Sequence, residues 1–124
     1  MQKESEKKVE EYLTKRIRQA GGKAYKFTSP GTGGVPDRIV VLNGSVWFIE
    51  LKSTEGRPTN LQKKRIRELA RMGAKVTVLG SCSEVDEFVK CLSNGRGMQE
   101  LVKRQAEKYG LSEECYEQKN KNRV

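Results

Sequence analysis

The sequence predicts an α/β fold in the order α-β-β-β-α-β-α, a mixed β-sheet flanked by helices, with a helical C-terminal extension. Three observations carry this. Val9, Leu13 and Ile17 recur at the four-residue spacing of a helix stripe. Asn43-Gly44 separates two apolar runs, which is the favoured two-residue type I′ hairpin signal. A helical pattern over 60–72 lies between the apolar runs 45–52 and 74–79, a βαβ arrangement that makes those two strands parallel.

The elements follow in order. Residues 4–19 form the first helix, stopped by Gly21-Gly22. Lys23 to Phe27 alternates weakly, as a short strand does, and SPGTGG (29–34) carries too much Gly and Pro for anything but a loop. Strands 37–42 and 45–52 make the hairpin. The polar loop STEGRP leads to helix 60–72, opened by Thr59 and ended near Gly73. Ala74 to Leu79 reads as a strand and Ser83 to Leu92 as a helix, with Ser83-x-x-Asp86 as its capping pattern. SNGRG breaks the chain before a helix MQELVKRQAEKY. Ser112 opens a short last helix and KNKNRV frays. The organisation is thus a domain over 1–92 and an extension, 93–124, packed on it.

Composition narrows the chemistry. The chain contains no histidine, which excludes His general bases, Ser-His-Asp triads and most zinc sites. Its three cysteines are far apart and read as reduced. Lys and Arg number 25 against 16 Asp and Glu, a net charge of +9 that points to a polyanion, usually nucleic acid. No apolar run is long enough to span a membrane, and MQKESEKK lacks a signal peptide's apolar centre. A cytoplasmic protein is expected, in the host cytoplasm if the chain is phage-encoded.

The hairpin turn sets a register. With Leu42 and Ser45 flanking it, facing residues have numbers that sum to 87, so Asp37 meets Glu50 across the strands. Lys52, two residues on, points to the same face. Two carboxylates placed opposite each other at about 4.5–5.5 Å between Cβ atoms destabilise a sheet unless something compensates. A divalent cation with oxygen ligands, Mg²⁺ or Mn²⁺, would compensate. Singly, each residue also fits a plain polar strand end or an ordinary turn after Pro36. The joint placement on one face favours a metal site.

Pro36-Asp37, a hairpin and then Glu50-Leu51-Lys52 resemble the PD-(D/E)XK nuclease superfamily. With Glu10, Gly21-Gly22, Lys26-Phe27, Ser29-Pro30-Gly31, Gly34-Val35-Pro36-Asp37-Arg38, Phe48-Ile49-Glu50-Leu51-Lys52 and Gln62, residues 8–89 are similar to the VRR-NUC family, in its stand-alone, phage-like form. The resemblance implies a restriction-endonuclease-like core and metal-dependent DNA endonuclease activity. It implies that Asp37, Glu50 and the Leu51 carbonyl hold the metal, that Glu10 completes the site, and that Lys52 and Gln62 assist catalysis. Duplex or branched DNA is the implied partner, with four-way junctions among the candidates. A homodimer would suit the paired incisions that a junction requires. A basic binding module that never cuts is the main rival, and a phage structural protein with a basic contact face is another.

Several residues carry two readings. Glu10 is either a site acid or one of the solvated acids of ESEKKVEE. Gln62 is either a site residue or the partner of Thr59 in a capping box. Lys26, Ser29, Gly31, Gly33, Arg38, Lys63, Lys64 and Arg67 are the expected nucleic-acid contacts, the glycines letting a backbone pass close to the acids. For Lys26 the plain reading is a strand-edge lysine, and for the helix 60–72 cations it is a solvated face. Trp47 shares a face with Val40, Ile49 and Leu51 and is expected in the core.

Overall fold

The computed structural model describes residues 2–111. Among them the order is α1 (Glu6–Gln19), β1 (Lys23–Lys26), β2 (Arg38–Leu42), β3 (Ser45–Leu51), α2 (Asn60–Arg71), β4 (Val76–Leu79), α3 (Cys82–Asn94) and α4 (Met98–Lys108). The expected helix at Ser112 and the KNKNRV tail lie outside the described residues.

The four strands form one sheet in the order β1-β2-β3-β4. The first three are antiparallel, and β4 runs parallel to β3. The hairpin register is the predicted one, from Leu42↔Ser45 to Arg38↔Ile49. Asn43 and Gly44 both have positive φ, 54° and 79°, as a type I′ turn requires. Asn43 also donates its side-chain amide to the Leu92 carbonyl at 3.2 Å, tying the turn to the end of α3.

Strand alternation gives the sheet two faces. On one, Val40, Leu42, Trp47, Ile49, Leu51 and Leu79 pack against α1 and α3. Val9, Leu13 and Ile17 of α1 are wholly buried there. Each contributes about 1.5–3 kcal/mol by leaving water, and this packing holds a helix that is polar on its other faces. Trp47 is in the core, edge-on to Phe88 with ring centroids 5.4 Å apart. On the other face, Ile66, Leu69 and Ala70 of α2 cover Phe48, Val76 and Val78, joined by Ala106, Tyr109 and Leu111 from α4 and its exit.

One local expectation is corrected. The cap of α3 is Ser81, which accepts from the Glu84 N–H at 3.1 Å, so Ser83 lies inside the helix. The backbone is already extended at Ser81, which lets the helix start earlier, and Asp86 instead receives Tyr12 Oη and Arg16 Nε at 2.7 and 2.9 Å. Leu61 of α2 is 45% exposed and props the glycine loop. A Cβ on Gly34 would stand 2.7 Å from Leu61 Cγ, and Gly34 has φ +81°, so glycine is required there twice over.

Glu84 is the hub that fastens α4 to the sheet. Its buried carboxylate accepts from the Gly80 N–H, the Gln105 amide, the Tyr109 hydroxyl and the Lys108 ammonium. Burial alone would raise its pKa, but these donors together hold it below the ordinary carboxylate value. Glu84→Ala would leave the donors without their acceptor, and we expect a loss of roughly 3 kcal/mol or more in urea denaturation at pH 7. A folded pKa below the unfolded one means this stabilisation is present above the unfolded value. The difference between mutant and wild type should therefore shrink as pH falls through the folded value.

Candidate active site

The carboxylates converge where the hairpin ladder ends. The last β2–β3 rung is Arg38↔Ile49, so Asp37 lies one residue beyond it, in a bend. Its backbone is nonetheless held, because the Phe27 N–H donates to the Asp37 carbonyl at 2.8 Å. Glu50 sits one step from the end of β3, 3% exposed, and Lys52 follows just after the strand. The Lys52 ammonium lies 3.5 Å from Glu50 Oε2, and its backbone N–H donates to the Leu79 carbonyl at 3.0 Å. Leu51 is buried, with its peptide between the two.

Gln62 closes the capping box and also reaches Glu50. Its side-chain carbonyl accepts from the Thr59 N–H at 2.9 Å and Thr59 Oγ1 accepts from its backbone N–H, which completes the capping box. Its amide then donates to Glu50 Oε2 at 3.3 Å. The helix cap thereby aims α2 at the acid.

Burial pushes the Glu50 pKa up to about 7, with the Asp37 charge as the second cause and Lys52 pulling the other way. Lys52 and Gln62 satisfy only Glu50 Oε2. Glu50 Oε1 and Asp37 Oδ1 are buried with no hydrogen-bond partner among the described residues. Orphaned acid oxygens, one just before β2 and one near the end of β3, suit a hard divalent cation, which takes oxygen ligands and prefers carboxylates. Among the described residues no three acidic or cysteine side chains form a complete cage. Glu10 is engaged by Arg38, its Oε1 2.5 Å from Nη2.

The expected nucleic-acid residues divide. Arg38 is buried, held by Glu10 and by the Asp37 carbonyl at 2.8 Å, so its charge is internal rather than offered to DNA. Lys26 is exposed but pairs with Arg38 in the ladder, on the sheet face opposite the acids. Gly31 and Gly33 are exposed, and Ser29 is half-buried. The Gly33 carbonyl is taken by Arg65 Nε at 2.9 Å, so this loop is docked on α2. Lys64 is exposed, whereas Arg67 donates to the Gly110 carbonyl at 3.0 Å and the Lys63 ammonium lies close to Gly110.

No family profile matches the chain. Over 77 residues it is 44% identical to "Putative nuclease p44" of Acyrthosiphon pisum secondary endosymbiont phage 1, a match that takes in 61% of this chain and 83% of that one. A solved structure described as a VRR_NUC domain is similar with a TM-score of 0.64 and 32% identity, over 68% of this chain and 94% of its own. The chain belongs to the VRR-NUC family. Its four-stranded mixed sheet flanked by helices is the family's restriction-endonuclease-like fold.

One further acid acts on this pair from α1. The charge on α1 that raises the Glu50 pKa further is that of Glu6, one helical turn before Glu10. The spacing of four residues is the only sequence signal, and it is shared with other acids in the run. Its position follows from Glu4, whose backbone exchanges hydrogen bonds with Thr54 and whose carboxylate accepts from the Cys82 N–H. Those bonds fix the start of α1 beside the loop that leaves Lys52.

Folded Glu50 keeps its proton up to about pH 7, above the ordinary 4.5. Raising the pH across that window therefore destabilises the fold. In divalent-free buffer, Glu50→Gln should match wild type at pH 4 and be more stable at pH 8 by on the order of 2–3 kcal/mol. Urea denaturation at the two pH values measures this, and equal stability at both would contradict the buried-pair electrostatics.

Proposed function

We propose that this VRR-NUC protein is a divalent-cation-dependent DNA endonuclease that hydrolyses phosphodiesters, with Asp37 and Glu50 as the carboxylates that hold Mg²⁺ or Mn²⁺. The observation that carries the reading is the pair of unpartnered buried oxygens, Asp37 Oδ1 and Glu50 Oε1, beside the Lys52 ammonium. The Leu51 carbonyl would add a further oxygen, and Glu6 would contribute from α1; Glu10 is engaged by Arg38. When bound, the cation supplies Lewis-acid polarisation of the phosphate and a water of lowered pKa.

The chain's own residues supply the rest. Lys52 places a positive charge next to the acids, where it offsets the negative charge that develops on the phosphate and orients the attacking water. Gln62 holds Glu50 Oε2, which leaves Oε1 free to face the cation. The exposed Lys64 on α2 gives the phosphate backbone a cation on the flank of the site. Recognition by shape and backbone suits a small basic domain, and branched DNA or four-way junctions are the substrates we assign. Paired incision of a junction would take two copies. The phage origin of the relative fits action on DNA in the host cytoplasm.

Purified protein incubated with Mg²⁺ or Mn²⁺ and duplex, single-stranded, flap and four-way-junction DNA tests the proposal. Cleavage should require the cation and favour branched substrates. Asp37→Ala and Glu50→Ala should each lower cleavage at least roughly a thousandfold, about 4 kcal/mol of activation free energy, with DNA binding retained. Lys52→Ala should lower turnover more than it weakens cation binding. Wild-type cleavage by Glu50→Ala would overturn the site assignment, and tight salt-sensitive binding without any cleavage would favour the non-catalytic module.

A further inference from the structure

The sheet face that carries Asp37, Glu50 and Lys52 is only half covered. α2 packs over Phe48 and β4, but nothing among the described residues is packed over the outer half, β1 and the turn end of the hairpin. By strand alternation, Lys23 and Tyr25 of β1, Ile39 and Val41 of β2 and Val46 of β3 all share the face of the acids. Tyr25 is 49% exposed, Val41 39% and Val46 52%. At the site end, Phe27 meets Phe48 edge-on, ring centroids 5.9 Å apart, so the apolar strip runs up to the acids.

We propose that this strip, with Tyr25 at its centre, is a stacking floor for unpaired nucleobases next to the scissile phosphate; this rests on the nuclease reading above. Continuity with the site argues for it. Tyr25 lies two residues along β1 from Phe27, which faces Asp37, so it stands roughly 7 Å along the strand from the acids and about 10 Å across from β3. That is the reach of a base one or two nucleotides from a phosphate at Glu50.

Chemistry selects the occupant. An intact duplex presents phosphates outward and hides its base faces, so an apolar floor would strip water from charge and gain nothing. An unpaired base offers a π-face, which stacks on an aromatic side chain whatever its sequence. The Lys23 ammonium lies 4.8 Å from the Tyr25 ring centroid, and a stacked base would displace it toward the flanking phosphate. A substrate with bases splayed at a branch or fork satisfies floor and site together.

The test uses the full chain without divalent cation, so that nothing is cut, and forked DNA carrying 2-aminopurine at the branch. Wild type and Tyr25→Trp should quench its fluorescence and bind the fork more tightly than duplex. Tyr25→Ala should lose the quenching and bind the fork roughly ten- to hundredfold more weakly, with duplex binding unchanged. Equal binding of fork and duplex by wild type and Tyr25→Ala overturns the proposal. So does light scattering that shows a dimer converted to monomer by Val46→Asp, which would mean a second copy covers the face. Cleavage is read separately with Mn²⁺; quenching without cleavage would sink the nuclease reading and leave the stacking floor standing.

Discussion

The repulsion between buried Glu50 and half-buried Asp37 is what the rest of the molecule is arranged around. Asp37 and Glu50 stand at the open end of an antiparallel hairpin, and desolvation together with mutual repulsion drives Glu50 toward its neutral form. A lysine and a glutamine relieve one oxygen, while an oxygen on each acid keeps no partner. This is a local cost to stability, and the two packed cores offset it.

The surrounding elements aim at this pair through local contacts. The β1–β2 ladder holds the Asp37 backbone, and the Arg38–Glu10 ion pair lies behind it on the opposite face of the sheet. The glycine loop can lie flat on Leu61 only because Gly34 has no side chain, and that contact seats the loop on the first turn of α2. The cap of α2 in turn directs Gln62 to Glu50. On the far side, Glu84 locks α4 against β4, next to the strand whose last carbonyl receives the Lys52 N–H. The rigidity of the site is a property of the whole sheet.

The two flanks of the site differ in character. α2 offers ammonium and guanidinium groups, several of them engaged with the loop or with α4. The bare sheet offers aromatic and β-branched side chains with a lysine at the margin. A charged wall thus stands on one side of the site and an apolar face on the other.

Much of this was readable from order and spacing. Period-four apolar residues, an Asn-Gly turn and a helix between two apolar runs are local signals, so they set the elements, the hairpin register, the parallel pairing and the common face of Asp37, Glu50 and Lys52. Long-range choices were not readable, because they depend on which of several equivalent side chains meets a distant partner. Arg38 turns inward to Glu10, Arg67 bonds Gly110, and Ser81 displaces Ser83 as a cap. Nor can a periodic pattern say which half of a sheet its helices leave bare. Packing decides that, since α2 is wide enough to cover β4 and part of β3 and no more.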